Sequence, residues 1–312
     1  MYKRICGFVT AVAVAAMVMA WVSVVGANAA ELASKDFTIA LEQWFNGNDA
    51  AAMPVFKKMV EANDENPIPF VICQEAYFLG KYECDEMIRA KYSARQKMKK
   101  AAAYYNAVAD LIYASADAGR PRAEFLAGVM LGDVRGAQKR GEKNASAWLA
   151  SAAKHGDPSG QNRLGSAYFG GFYGLEKSIP QARKWLSKAA AQGHENARCS
   201  LASSNIVPKS TGFRDVFEGT KLYKQSAKKG FARGEFRYGR SLLLGWGVAK
   251  NVKEALKWLD KAARKHNYQA AELLADLYRT GEEGVTKDDK LVAEYVRLKR
   301  EFERERDRFS KQ

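Results

Sequence analysis

The chain has three histidines, and all stand at one kind of place: His155 just before Gly156, His194 just after Gly193, and His266 where the next glycine of that series would fall. Imidazoles in a row along one ridge could hold metal or exchange protons. A shared ion fits poorly, because stacked helical units lie roughly 10 Å apart and a zinc ion needs its ligands at about 2 Å. The same side chains also have a local use, since cationic or hydrogen-bonding groups are favoured at helix C-termini. Arginine offers a second chemistry. Arg233, Arg237 and Arg240 follow i, i+4, i+7 spacing and share one helix face, and Arg163 takes the position of Arg237 in an earlier unit. Such a row would suit an anionic partner, or would simply be a solvated face. A further basic run, Arg89 to Lys100, carries six lysines or arginines and no acid, without the strong apolar face of an inserting helix. Cysteine offers a third: Cys73 and Cys84 flank Gly80, so an oxidising compartment would permit a bridge stapling that helical pair, and Cys199 would be left unpaired as a half-buried small residue. The chain contains no HExxH, G-x-S-x-G, Walker loop or zinc-type Cys-x-x-Cys pair, so no catalytic residue, cofactor or metal site is expected.

These residues must be positioned by a repeat. Gly119, Gly156, Gly193 and Gly230 are spaced 37 residues apart, and His266 follows 36 further on. Each closes a helix-like stretch such as AWLASAAKHG or KWLSKAAAQG. A period of this size marks stacked helical hairpins. The recurring position fits a helix C-terminus, where a left-handed residue satisfies orphan carbonyls and glycine does so most readily. In each unit a first helix carries small or apolar residues four and eight places on: Ala123 and Ala127, Gly160 and Leu164, Ala197 and Leu201, Gly234 and Tyr238. A second helix brings Trp148, Trp185, Leu222 and Trp258, which read as core rings packed on paired small residues.

The first residues read as an address. Lys3 and Arg4 precede an apolar run from Ile5 to about Val25, and Ala27-Asn28-Ala29 supplies the small residues of a cleavage site, placing the mature start near Ala30. An uncleaved anchor is the alternative. The net charge is +15, or +13 without Lys3 and Arg4, and hydrophobic residues make up 47%. That balance describes a folded helical protein with a bias toward anionic neighbours. For an exported chain these would be lipid head groups, cell-wall polymers or acidic proteins; nucleic acid is not expected.

The run YGRSLLLGWGVAKNVKEALKWLDKAA resembles a Sel1-like repeat, a relative of the tetratricopeptide repeat with a longer inter-helix loop. The resemblance covers roughly residues 107 to 298. It implies an all-α, right-handed α-solenoid of stacked antiparallel helix hairpins whose first helices line the concave side. It also implies a role in holding other proteins together. The copy from Ser200 to Gly230 lacks the Gly-x-Gly-Val loop and carries Pro208 and Gly212, and the segment from Gly132 to Asn144 is long and basic. One cysteine-rich branch of the family bridges the helices of every repeat and is associated with penicillin binding and β-lactamase activity; this chain could form such a bridge once.

The expected organisation is a signal peptide over 1–29, an N-terminal helical region of degenerate repeats or a cap over 30–106, the repeat array over 107–298 and a charged helical tail over 299–312. Asp49 is expected to cap the helix that follows it, and the segment from Cys84 to Ala118, free of glycine and proline, could run as one helix or break near its lysines. The expected function is a non-enzymatic periplasmic or secreted scaffold for protein partners of acidic character, without stable membrane insertion after cleavage. The alternative is a hydrolase of cell-wall or β-lactam amides, as in the cysteine-rich branch.

Overall fold

Apolar residues recurring at helical spacing, with glycine at each helix end, build helix after helix in the computed structural model, which describes residues 35–61, 67–79, 98–134, 137, 139, 141–206 and 213–308. The leader, Gly80, Cys84, the run 89–97, Pro208 and Gly212 lie outside these residues, and so do the expectations placed on them. Among the described residues there is no strand. An N-terminal group comprises α1 (Lys35–Phe45), α2 (Asp49–Glu61), α3 (Pro67–Phe78), α4 (Met98–Ala107) and α5 (Ala109–Asp117). Five hairpins follow: α6 (Pro121–Asp133) with α7 (Ala145–Lys154), α8 (Pro158–Gly170) with α9 (Ile179–Ala191), α10 (Glu195–Ile206) with α11 (Phe213–Lys228), α12 (Ala232–Leu244) with α13 (Val252–Arg264), and α14 (Tyr268–Thr280) with α15 (Asp289–Arg308). Each hairpin packs on the next, which makes the chain an α-solenoid. Through the first four hairpins the first helices touch one another (α6 with α8, α8 with α10, α10 with α12), which sets them on the inner side there, while at the C-terminal end the second helices α13 and α15 also meet.

The period marks the turn between hairpins. Gly119, Gly156, Gly193 and Gly230 have φ between +74° and +90°, and His266 takes the same left-handed conformation at +56°. At three of these turns the side chain of the next residue caps the following helix, while Arg120 and Phe231 make no such bond. Asp157 accepts from the Gly160 amide at 2.6 Å, His194 Nδ1 from Ala197 at 3.2 Å, and Asn267 from Ala270 at 3.1 Å.

Within three of the five hairpins, a missing Cβ lets the two helices approach. A Cβ on Gly128, Gly165 or Gly239 would lie 2.7, 2.8 or 3.0 Å from Leu149, Leu186 or Leu259 respectively. Those leucines are fully buried, as are the paired alanines Ala152–Ala153 and Ala262–Ala263. Trp148 and Trp185 belong to the same continuous core as the N-terminal helices, while Leu222 and Trp258 pack on the C-terminal core. The tryptophans are therefore packing residues.

Two local expectations are corrected. Asn48, rather than Asp49, caps α2 by accepting from the Ala51 amide; Asp49 is the first helical residue and is drawn to Arg122 in α6. The stretch before Ala118 is interrupted at Val108, whose ψ of 13° separates α4 from α5. The position expected to begin a charged tail, residue 299, lies inside α15, which continues the last hairpin to Arg308.

Candidate functional site

The inner face carries a groove of about 390 Å³ framed by α8, α10 and α12. Arg233, Arg237 and Arg240 line it from α12, Ser200 and Ser203 form its floor from α10, and Phe169, Tyr223 and Trp246 supply apolar walls. The three arginines are one helix face, as their spacing requires, and among the described residues no carboxylate lines the cavity. Arg233 donates to Asn196 and is 3.5 Å from the Ser200 hydroxyl. Arg240 lies 5.4 Å over the Trp246 ring, and Arg237 lies against Phe236. The Nε of Arg237 is buried without a hydrogen-bond partner. Buried donors are costly when unsatisfied, so this guanidinium, like that of Arg183, is short of an acceptor.

Arg163, placed in the same row by sequence, does not line the groove. Its Nη1 is 3.1 Å from Asp133, whose other oxygen accepts from the Tyr173 hydroxyl at 2.6 Å. Burial opposes its charge, but the neighbouring Asp133 holds the Arg163 proton more firmly than usual. Tyr173, in a left-handed loop position with φ 57°, has its hydroxyl pushed up to about 12 chiefly by burial. The four sequence-predicted arginines thus divide into three open cations and one neutralised cation.

Sequence reasoning missed the seat beside the groove. Helix α3 lies across the N-terminal ends of α8 and α10 and reaches α12. Its Glu75 is 2.9 Å from His194 Nε2, Phe78 stacks on the His194 ring at 5.6 Å, and Tyr77 meets Phe231 at 4.9 Å. Burial would raise the Glu75 pKa, yet hydrogen bonds from His194 and Ser159 and the charges of His194 and Arg163 bring it below the ordinary carboxylate value. Asp157 has the opposite fate: burial and the nearby Glu75 charge push its carboxyl up to about 7, against the pull of the Gly160 amide. The one advance signal was composition, since PIPFVIC is apolar on all sides and such a helix belongs between two surfaces.

His155 takes a role within its own hairpin and His266 packs on the next, while His194 both caps α10 and holds Glu75 of α3. His155 Nδ1 is 2.8 Å from Glu124, which also accepts from Ser151 at 2.6 Å. Serine and histidine thus both bind the carboxylate rather than each other, which is not the relay of a nucleophilic triad. Equivalent clasps join Gln161 to Gln192 and Glu235 to Lys265 in other hairpins. His194 caps α10, and His266 packs on Phe302 at 4.5 Å. Among the described residues no cluster of histidine, cysteine and acid side chains could hold a metal ion. Cys73 and Cys199 are both buried, in α3 and α10.

Fold and groove together define a repeat solenoid of the kind built for contact along its inner face. The Sel1 repeat profile matches residues 158–194, 232–267 and 269–295, and these segments are Sel1 repeats. Repeats of this family generally mediate protein–protein contacts. The chain is 32% identical over 133 residues to an exopolysaccharide production negative regulator of Rhizobium meliloti, covering 38% of this chain and 49% of that protein. It is 30% identical over 129 residues to chitin synthase regulatory factor 3 of Schizosaccharomyces pombe, covering 39% and 14%. It therefore spans about half or less of these relatives. The fold is shared with a Sel1 repeat protein from Oxalobacter formigenes, at TM-score 0.54 and 24% identity over 84% of this chain and 98% of that one. It is shared also with a protective antigen present in uropathogenic Escherichia coli strains, at TM-score 0.54 and 22% identity over 86% and 66%.

Proposed function

We propose that this chain is an exported, non-enzymatic scaffold that holds an acidic segment of a protein partner in the groove around Arg237. The observation that carries the reading is the set of three groove arginines with no lining carboxylate among the described residues, one of them with a buried, unpartnered Nε. A guanidinium fork pairs with a carboxylate through two parallel hydrogen bonds, while Trp246 and Tyr223 offer apolar contact beside it. Export rests on Lys3, Arg4, the apolar run and Ala27-Asn28-Ala29. The regulatory names of the two relatives accord with a protein that acts by contact.

The test places a photo-cross-linking amino acid at Ser200 on the groove floor and irradiates intact cells. A discrete adduct should form, lie in the envelope or medium fraction, and disappear in R233Q/R237Q/R240Q at unchanged protein level. An adduct that persists unaltered in that variant removes the arginines from the interface. N-terminal sequencing of the same protein should begin at Ala30; a chain retained in the cytoplasm overturns the export reading.

A further inference from the structure

The repeat that places arginines inside the solenoid places lysines outside it. Nine residues before each helix-ending turn stand Lys184, Lys221 and Lys257, one on each of α9, α11 and α13. All three are exposed. Because they occupy one register position in successive hairpins, they form a row along the outer side, with steps wider than the roughly 10 Å of directly packed helices. Lys188 and Lys261, four residues further along α9 and α13, widen the row, and Lys228 extends it on α11; these too are exposed.

Helix α9 carries no acid, α11 carries Asp215 and Glu218, and α13 carries Glu254 and Asp260. Glu254 accepts from Trp258 Nε1 at 3.2 Å, and Asp260 binds Arg264 and the Tyr295 hydroxyl. Glu218 approaches Lys221 only at 3.9 Å, between two exposed groups. The tryptophans also hold ammonium groups at the surface: Lys188 lies 4.9 Å over Trp185 and Lys261 lies 4.6 Å over Trp258. A core ring thereby doubles as the platform of a surface cation.

We infer that the outer face of α9, α11 and α13 is a peripheral docking surface for an anionic lipid membrane. Charge complementarity selects an anion, and the kind of cation selects which one. Arginine presents a rigid fork suited to a fixed carboxylate, as in the groove. Lysine is a hydrated point charge on a flexible stem, suited to mobile head groups that need no fixed geometry. A row repeated over three helices matches an extended charged plane rather than a single side chain. Docking by this face leaves the concave groove open on the opposite side. The inference stands apart from the groove reading, because it uses none of the same residues.

The test is sedimentation of the full chain, with its N-terminus as the cell leaves it, with vesicles ranging from pure phosphatidylcholine to half phosphatidylglycerol. Partition into pure phosphatidylcholine sets the baseline. Above it, binding should climb with phosphatidylglycerol and fall steeply with salt. Each lysine near an anionic surface is worth about fivefold in partition, so K184Q/K221Q/K257Q should lose roughly 100-fold and K257Q alone about fivefold. R233Q/R237Q/R240Q should bind these vesicles as the native chain does. Matching helical circular dichroism and melting confirm that each variant folds. The inference is overturned if the lysine variants bind within twofold of native, if the groove variant loses vesicle binding instead, or if the lysines are needed for soluble polyglutamate while phosphatidylglycerol vesicles remain unbound.

Discussion

Asp157 gives the sharpest pH prediction, because its environment sets three effects against one another. It caps α8 through a 2.6 Å bond from Gly160, is 9% exposed, and shares its surroundings with Glu75, His194 and Arg122. Burial dominates, and the carboxyl titrates at about 7 rather than 3.8. A raised pKa means that the folded chain holds a proton that the unfolded chain has released. Stability therefore falls as pH rises from about 4 to about 7, and is flat beyond. Each tenfold difference in proton affinity is worth about 1.4 kcal/mol, so the loss attributable to this group is at most about 4 kcal/mol. Asp157→Asn keeps the side-chain acceptor and a residue favoured at N-caps, while removing the ionisation. Urea denaturation of both proteins, followed by helical circular dichroism from pH 4 to pH 8, isolates the effect, since slopes due to other groups are common to both. The variant should gain on the native protein by up to about 4 kcal/mol across that range. Parallel stability curves would refute the argument, for they would mean that Asp157 titrates alike folded and unfolded.

Gly165→Ala should destabilise by about 1–3 kcal/mol despite alanine's better helix propensity, because its Cβ would stand 2.8 Å from Leu186. A double-mutant cycle with Leu186→Ala, read by thermal melting, should show relief of part of that strain. His194→Ala leaves buried Glu75 without its 2.9 Å partner and should cost about 3 kcal/mol. In that variant, reduced protein should expose the Cys73 thiol in α3 to a maleimide well before Cys199 in the solenoid core; equal rates would show that α3 is not held by this contact. His266→Gly should be more stable than His266→Ala by about 1 kcal/mol in urea denaturation, since the position has φ +56° and only glycine enters that region freely.

The repeat was legible because its causes are local. A left-handed turn needs glycine, a close helix pair needs a residue without Cβ, and a large ring needs small neighbours. Gly156, Gly165 and Trp185 each state one of these needs in sequence. Local rules also misled by one residue at α2, where Asn48 and Asp49 are both good caps and the distant Arg122 decided between them. The seat of α3 was not legible, because Glu75 and His194 are 119 residues apart and no periodic pattern connects them. Only the all-round apolar character of that helix hinted at burial between two layers.

The arginines show where register stops being informative. Arg163 and Arg237 hold the same position in their repeats, yet one is neutralised and the other is open. Asp133 in the preceding hairpin pairs with Arg163, while the residue at the equivalent sequence position upstream of Arg237 is Val207, which carries no charge and lies outside the described residues. Charge at a repeat position therefore has meaning only when compared with the residue one hairpin back, at the height where the first helices touch. The outer lysines obey the same rule with the opposite result. Lys221 meets Glu218 at 3.9 Å, but among the described residues no acid recurs at this register position from hairpin to hairpin, so the row keeps a net positive charge. A solenoid can thus carry two electrostatic surfaces of different chemistry on one scaffold. The groove concentrates rigid forks where repeats differ, and the outer face repeats a flexible cation where they agree.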